Sequence, residues 1–318
     1  MVTLEDVLEA QRVIAGRLHR TPLLSAQALG AMADPPVRLF LKAELLQKTG
    51  AFKVRGALNK LAELSPEQKR RGLITVSAGN HAQAVAWSAA AEGVPATVVM
   101  AETAVRSKVE ATRGYGAEVI LFGTSMSGIF EHAHQLEHER GLLFIPPFDD
   151  PRIIAGQGTV GLEILEDLAE PDVVIVSCGG GGLCSGVALA IKSKRPQTRV
   201  VIVEPEGAPT MRRSLDAGKP MALESINTIA DGLTAPFTSD LTLAMTQRYV
   251  DEAVLVSDAE IGHAMGLILE RCKLLAEPAA AATVAALLAG KVDVAEGAKV
   301  VAILSGGNVD RERLKQLV

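Results

Sequence analysis

The chain has 318 residues, 48% of them hydrophobic, enough for one large folded domain or two of ordinary size. Its 32 basic and 37 acidic residues leave a formal net charge of -5, and no block of five or six like charges occurs, which argues against nucleic acid or an anionic membrane surface as partner. A small molecule is the default ligand.

The N-terminus, MVTLEDVLEAQRVIAG, has acids early and an amphipathic helical spacing, so a secretion signal is not expected. AAAATVAALLAG is too short to span a bilayer, so the expected location is the cytoplasm. Cys178, Cys184 and Cys272 form neither an even framework nor a CxxC pair and read as reduced thiols.

Short β-branched runs begin near residues 73, 96, 118, 172, 199 and 299, and alanine- and leucine-rich helical patterns lie between them. That alternation predicts an α/β fold of open, mainly parallel sheets, and the continuous apolar strands predict helices on both sheet faces. The paired prolines and acids of FIPPFDDPRIIAGQG, at 144 to 158, mark a break. The expected division is a large domain from residues 1–70 plus 150–318 and a small α/β domain from 71–149, with no C-terminal regulatory domain.

In QKTGAFKVRGALNKL, Lys53 and Arg55 stand in the first turn of a predicted helix, where the positive end of the dipole disfavours cations. Lys53 is therefore a candidate nucleophile, its ammonium destabilised by desolvation beside Phe52 and by neighbouring positive charge. No comparable explanation applies to Arg55. In DVVIVSCGGGGLCSG a buried strand runs into Gly179, Gly180, Gly181 and Gly182, and a helix follows from about Leu183. Four glycines can turn successive N–H groups toward one anion at a helix N-terminus, which predicts a phosphate site. It is neither a Walker loop nor a GxGxxG pattern. VSAGNHAQ places Ser77, Ala78, Gly79, Asn80 and His81 after a second strand, and AILSGGN places Ser305 after a third. Ligands bind outside the carboxyl ends of such strands. Three such loops and a misplaced lysine point to a phosphate-bearing cofactor with an aldehyde that the lysine captures.

KTGAFKVRGA, SAGNHAQ, CGGGGL and LSGGN, with IAGQGTVGLEIL and LLAEPAAAA, resemble in order and spacing the pyridoxal-phosphate enzymes that include threonine/serine dehydratases and serine racemase. The resemblance covers nearly the whole chain. It implies fold type II, like the tryptophan synthase β chain, with the cofactor between two domains in a homodimer or homotetramer. It implies that Lys53 is the covalent anchor and base, that Gly179 to Gly182 and Leu183 hold the phosphate, and that Asn80 meets the phenolic oxygen. Phe52 flanks the ring, Ser305 meets the pyridine nitrogen and Glu277 orders the rim. Ser77, Ala78, Gly79, Asn80 and His81 surround the substrate carboxylate. The implied reaction is deamination of L-threonine or L-serine, by α,β-elimination of water, to a 2-oxo acid and ammonia.

Serine racemase and a dehydratase of another β-hydroxy amino acid, such as 3-hydroxyaspartate, are the alternatives. Racemases resembling this chain carry a serine where Ala78 stands, and alanine cannot transfer a proton. A non-catalytic phosphate-binding module is a further alternative. His132, His134 and His138 read as a solvated helix face, because Gln135 replaces the glutamate of HExxH. Relatives often bind a cation where Glu204, Ala208 and Thr210 align, with Thr210 replacing an expected carboxylate.

Overall fold

The computed structural model describes residues 1–318. Its strands are β1 (Leu23–Ser25), β2 (Arg38–Lys42), β3 (Leu73–Val76), β4 (Ala96–Met100), β5 (Glu118–Leu121), β6 (Leu143–Phe144), β7 (Val173–Ser177), β8 (Arg199–Pro205), β9 (Glu252–Val256) and β10 (Lys299–Ile303). They form a six-stranded sheet in the order β1-β2-β10-β7-β8-β9 and a four-stranded sheet in the order β5-β4-β3-β6. Every pairing is parallel except that of β1 with β2. The α/β fold of mainly parallel sheets expected from the alternation is the fold observed.

β7 shows why its sequence reads as an unbroken apolar run. Val173 and Ile175 enter a core cluster with Ala280 and Val284 of the helix Pro278–Leu288. Val174 and Val176 enter another with Val187 and Ile191 of the helix Gly182–Lys194. Successive side chains point to opposite faces, and both faces are covered, so no polar alternation is needed. Four strands are not expected from the sequence: β1 has three residues, β6 has two, β9 is a half-buried edge strand, and β2, five residues long, lies inside the larger sheet between β1 and β10.

All four strands of the smaller sheet lie between residues 73 and 144. The helix Lys53–Ala62, which precedes them in the chain, contributes Val54, Ala57 and Leu61 to a core shared with Leu73, Val85 and Val98. Its opposite contacts include Gly56 against Gly156 and Gln157 of the helix Pro151–Asp167, an approach with no room for a Cβ. That helix therefore lies between the two sheets. The loops leaving β3, β7 and β10 all follow the carboxyl ends of parallel strands and converge beside it. No helix is long and apolar enough to cross a membrane.

Candidate active site

Lys53 opens its helix without a capping side chain, since Phe52 occupies the N-cap position. The backbone before it is fixed by left-handed Thr49 (φ 62°) and Gly50 (φ 71°). A Cβ on Gly50 would stand 2.5 Å from Asn308 Oδ1, so the close approach as well as the φ calls for glycine. Gly307 N–H donates to the Gly50 carbonyl at 3.0 Å, and Phe52 N–H donates to the Ser305 carbonyl at 3.0 Å. The loop after β10 thus holds the segment that delivers the lysine. Lys53 Nζ donates to the Pro147 carbonyl at 2.8 Å and lies 5.3 Å from the centre of the Phe52 ring. Desolvation lowers its pKa to about 8, against the opposing pull of Glu277.

In the glycine loop, Gly181 is left-handed (φ 91°) and caps the helix Gly182–Lys194 without a side chain. None of the backbone N–H groups from Gly179 to Cys184 has an acceptor within the protein. A Cβ on Gly180 would lie 2.2 Å from the Phe148 ring, and one on Gly181 would lie 2.8 Å from Met211 and from Thr242. Unpaired N–H groups, a helix N-terminus and walls too close for any side chain make a cradle that fits a phosphate. Buried Leu183 sits in its first helical turn. The cradle and the lysine share the segment after β6, since Phe148 covers Gly180 while the Pro147 carbonyl receives Lys53.

The loop after β3 offers a second set of donors. Ser77 Oγ accepts from Gly79 N–H at 3.1 Å, and Ala78 packs partly buried against the core of the smaller sheet. Gly79 caps the helix Asn80–Glu92 without a side chain, leaving the N–H groups of Asn80, His81 and Ala82 without acceptors. Burial, the Lys53 charge and an opposing contact with the Ile145 carbonyl set the pKa of His81 at about 3, so its ring is neutral. His81 Nε2 lies 3.1 Å from that carbonyl oxygen, which fixes the proton on Nε2. Asn80 Nδ2 donates to Glu277 Oε1 at 2.7 Å. Burial pushes Glu277 up to about 7, restrained by the Asn80 contact and by Lys108. Ser305 is buried, and Ser177 Oγ donates to its hydroxyl at 3.4 Å.

Asn308 was not anticipated, although it touches Asn80, Thr49 and the Gly50 backbone. Its sequence context, after two glycines, has the look of an ordinary turn.

Arg55, two residues beyond Lys53, meets carboxylates rather than solvent. It is fully buried, and Nε and Nη2 donate to the two oxygens of Glu44 at 2.8 Å each. Nη1 and Nη2 donate to Glu163 at 2.7 and 2.9 Å, and Nη1 also donates to Thr159 at 3.1 Å. Lys42 Nζ completes the group with a 2.6 Å bond to Glu163. Burial alone disfavours the guanidinium, but Glu44 and Glu163 outweigh it and keep Arg55 charged. Two cations and two carboxylates make a neutral buried quartet, so the dipole penalty at this helix start is a minor effect.

Glu204, Ala208 and Thr210 gather at the start of the helix Thr210–Ala217, whose Met211 also walls the glycine loop. Glu204 Oε1 and Oε2 accept from Met211 and Arg212 N–H at 2.8 and 2.7 Å, and Thr210 Oγ1 donates to the Ala235 carbonyl at 2.8 Å. Ala208 is buried beside them. Both Glu204 oxygens are engaged as a helix cap. His132 stacks on Phe122 at 3.9 Å and His134 meets Glu137 at 2.8 Å, both on the helix Met126–Arg140.

A family profile described as pyridoxal-phosphate dependent enzyme matches residues 14–306. The chain is 46% identical over 318 residues to the L-threonine ammonia-lyase of Thermotoga maritima, covering all of this chain and 78% of the relative. It is 42% identical over 317 residues to L-threonine dehydratase catabolic TdcB of Escherichia coli K12, covering 99% and 96%. Maize serine racemase superposes with a TM-score of 0.94 at 42% identity, covering 99% and 96%. A T.th. threonine deaminase superposes with a TM-score of 0.91 at 42% identity, covering 97% and 99%. The chain belongs to the pyridoxal-phosphate dependent enzymes. Its fold is type II, and pyridoxal 5′-phosphate is its cofactor.

Proposed function

We propose that the protein deaminates L-threonine, and L-serine as an alternative substrate, by α,β-elimination of water, giving 2-oxobutanoate or pyruvate and ammonia. The observation that carries this reading is Lys53, a desolvated amine of pKa about 8 that shares one segment of chain with a phosphate cradle. The names of the relatives support threonine as the preferred substrate.

When bound, pyridoxal phosphate supplies an aldehyde for an amine and a ring that withdraws electrons from the substrate Cα. The free N–H groups of Gly179 to Gly182 and Leu183 would hold its phosphate, and Phe52 would flank its ring. Asn80 would donate to its phenolic oxygen, and Glu277 fixes Asn80 by accepting from its Nδ2. Ser305 would meet the pyridine nitrogen with a hydroxyl rather than a carboxylate, which would favour prompt departure of the β-hydroxyl over transamination. The substrate carboxylate lies in the loop Ser77, Ala78, Gly79, Asn80 and His81, where unpaired N–H groups open a helix. Lys53, as a free amine, would take the Cα proton and, as the ammonium so formed, would hold a proton for the β-hydroxyl, which leaves as water. Neutral His81 keeps a second positive charge from forming beside Lys53.

We propose further that residues 1–70 plus 150–318 form a large domain and 71–149 a small one, and that the enzyme is a cytoplasmic homodimer or homotetramer. Ala78 disfavours racemisation, because a methyl group cannot deliver a proton to the face opposite Lys53. The test is a panel of L-threonine, L-serine and 3-hydroxyaspartate with purified, cofactor-loaded protein, read by 2-oxo acid release and by chiral analysis. Threonine deamination is the expected dominant activity. Interconversion of L- and D-serine faster than pyruvate release would overturn the reading.

A further inference from the structure

The direction of the Asn80 side-chain amide is decided at a distance from Asn80 itself. The Thr49 carbonyl can only accept, so the Asn308 atom 2.7 Å away is Nδ2. The same nitrogen lies 2.8 Å from an Asn80 side-chain atom, which must therefore be the acceptor, Oδ1. Asn80 Nδ2 is then directed to Glu277 Oε1, 2.7 Å away. Both Asn308 protons are used, whereas Asn80 keeps one N–H that no protein atom accepts.

We propose that Asn308 is a positioning residue, which reads the Thr49 carbonyl and through it fixes Asn80 with an N–H, never an oxygen, free to face the cofactor. Left to itself, Asn80 has two amide orientations, and the wrong one turns its single carbonyl oxygen toward both the Glu277 carboxylate and the phenolic oxygen. Asn308 removes that choice. It also ties the choice to Thr49 and Gly50, whose left-handed backbone delivers Lys53, so that covalent anchor and phenolic-oxygen donor are set by one side chain. The proposal rests on the role assigned to Asn80 above.

The experiment compares Asn308→Ala, Asn80→Ala and the double variant with the parent holoenzyme. The absorbance band of the bound cofactor is titrated against pH, and kcat and KM for threonine are measured in parallel. Asn308→Ala is expected to move the apparent pKa of the band by about one unit, in the same direction as Asn80→Ala. The double variant is expected to move it no further than Asn80→Ala alone, because coupled residues are not additive. Turnover is expected to fall about tenfold with KM nearly unchanged. An unmoved band in Asn308→Ala, or additive shifts in the double variant, overturns the role of Asn308 while leaving that of Asn80 standing. An unmoved band in Asn80→Ala removes the role of Asn80 and the Asn308 proposal with it. Asn308→Asp is isosteric but lacks both donors, and serves as the second variant if alanine weakens cofactor retention: it is expected to shift the band, and a parent-like band overturns the proposal.

Discussion

Lys53 Nζ donates a 2.8 Å hydrogen bond to the carbonyl oxygen of Pro147, the residue before the phenylalanine that covers Gly180. One dipeptide therefore touches both the amine and the phosphate cradle. The placement of this amine in desolvated surroundings, rather than any covalent peculiarity, is what separates it from a surface lysine.

The first prediction concerns its protonation. Its pKa is lowered from the ordinary 10.5 to about 8, so the neutral, reactive fraction climbs as pH rises through about 8 and then levels off. The initial rate of covalent capture of pyridoxal phosphate by cofactor-free protein, measured from pH 6 upward, is expected to follow that curve. A rate still climbing tenfold per unit above pH 9 would mean an unperturbed lysine. Lys53→Ala is expected to abolish capture and to lower 2-oxo acid release by about 10³-fold or more.

Gly180 sets the second. An added Cβ would stand 2.2 Å from Phe148, and the ring must move to admit it. Gly180→Ala is expected to weaken pyridoxal phosphate binding by about tenfold or more, equivalent to at least about 1.4 kcal/mol. Equilibrium cofactor titration checks it; parent-like affinity would show that the wall yields freely.

Glu277 sets the third, through stability. Its pKa is raised in the folded protein from the ordinary 4.5 to about 7, chiefly by burial, so the folded state favours the protonated acid. The stability linked to that proton is present below about pH 4.5 and is lost as pH rises through about 7. Glu277→Gln cannot lose it, and in the cofactor-free protein at pH 8 it is expected to be more stable than the parent by up to about 3 kcal/mol. Urea unfolding at pH 5 and pH 8 measures the difference, which must grow with pH.

Much of this architecture is legible in local sequence. The unbroken runs of β3, β4, β7, β8 and β10 announce strands covered on both faces, and glycines between a strand and a helix announce an anion cradle. What escapes are partnerships across long stretches of chain. Arg55 looks like a misplaced cation because neither carboxylate partner adjoins it: Glu44 lies 11 residues before it and Glu163 lies 108 after it. Asn308 resembles a turn residue until its contact with Asn80, 228 residues distant, is seen. The edge strands fail for another reason: β1 and β6 are too short to display a period.

The buried quartet gives the fourth prediction. Arg55→Met leaves Glu44 and Glu163 facing Lys42 alone, and is expected to cost about 3–5 kcal/mol in urea unfolding. Replacing Lys42, Glu44, Arg55 and Glu163 together by methionine removes every unpaired charge and is expected to recover most of that loss. A single variant within about 1 kcal/mol of the parent would contradict the account.

The same quartet has a consequence for motion. Arg55 grips residues of the large-sheet half with all five of its N–H donors, while Val54, Ala57 and Leu61 of the same helix are locked into the core of the smaller sheet. A helix held from both sides can open only when both cores open. Its amide protons are therefore expected to be among the slowest in the chain to exchange with deuterated solvent, slower than those of the surface helix Met126–Arg140. Whatever rearrangement accompanies turnover, the lysine stands on the part of the molecule that yields last.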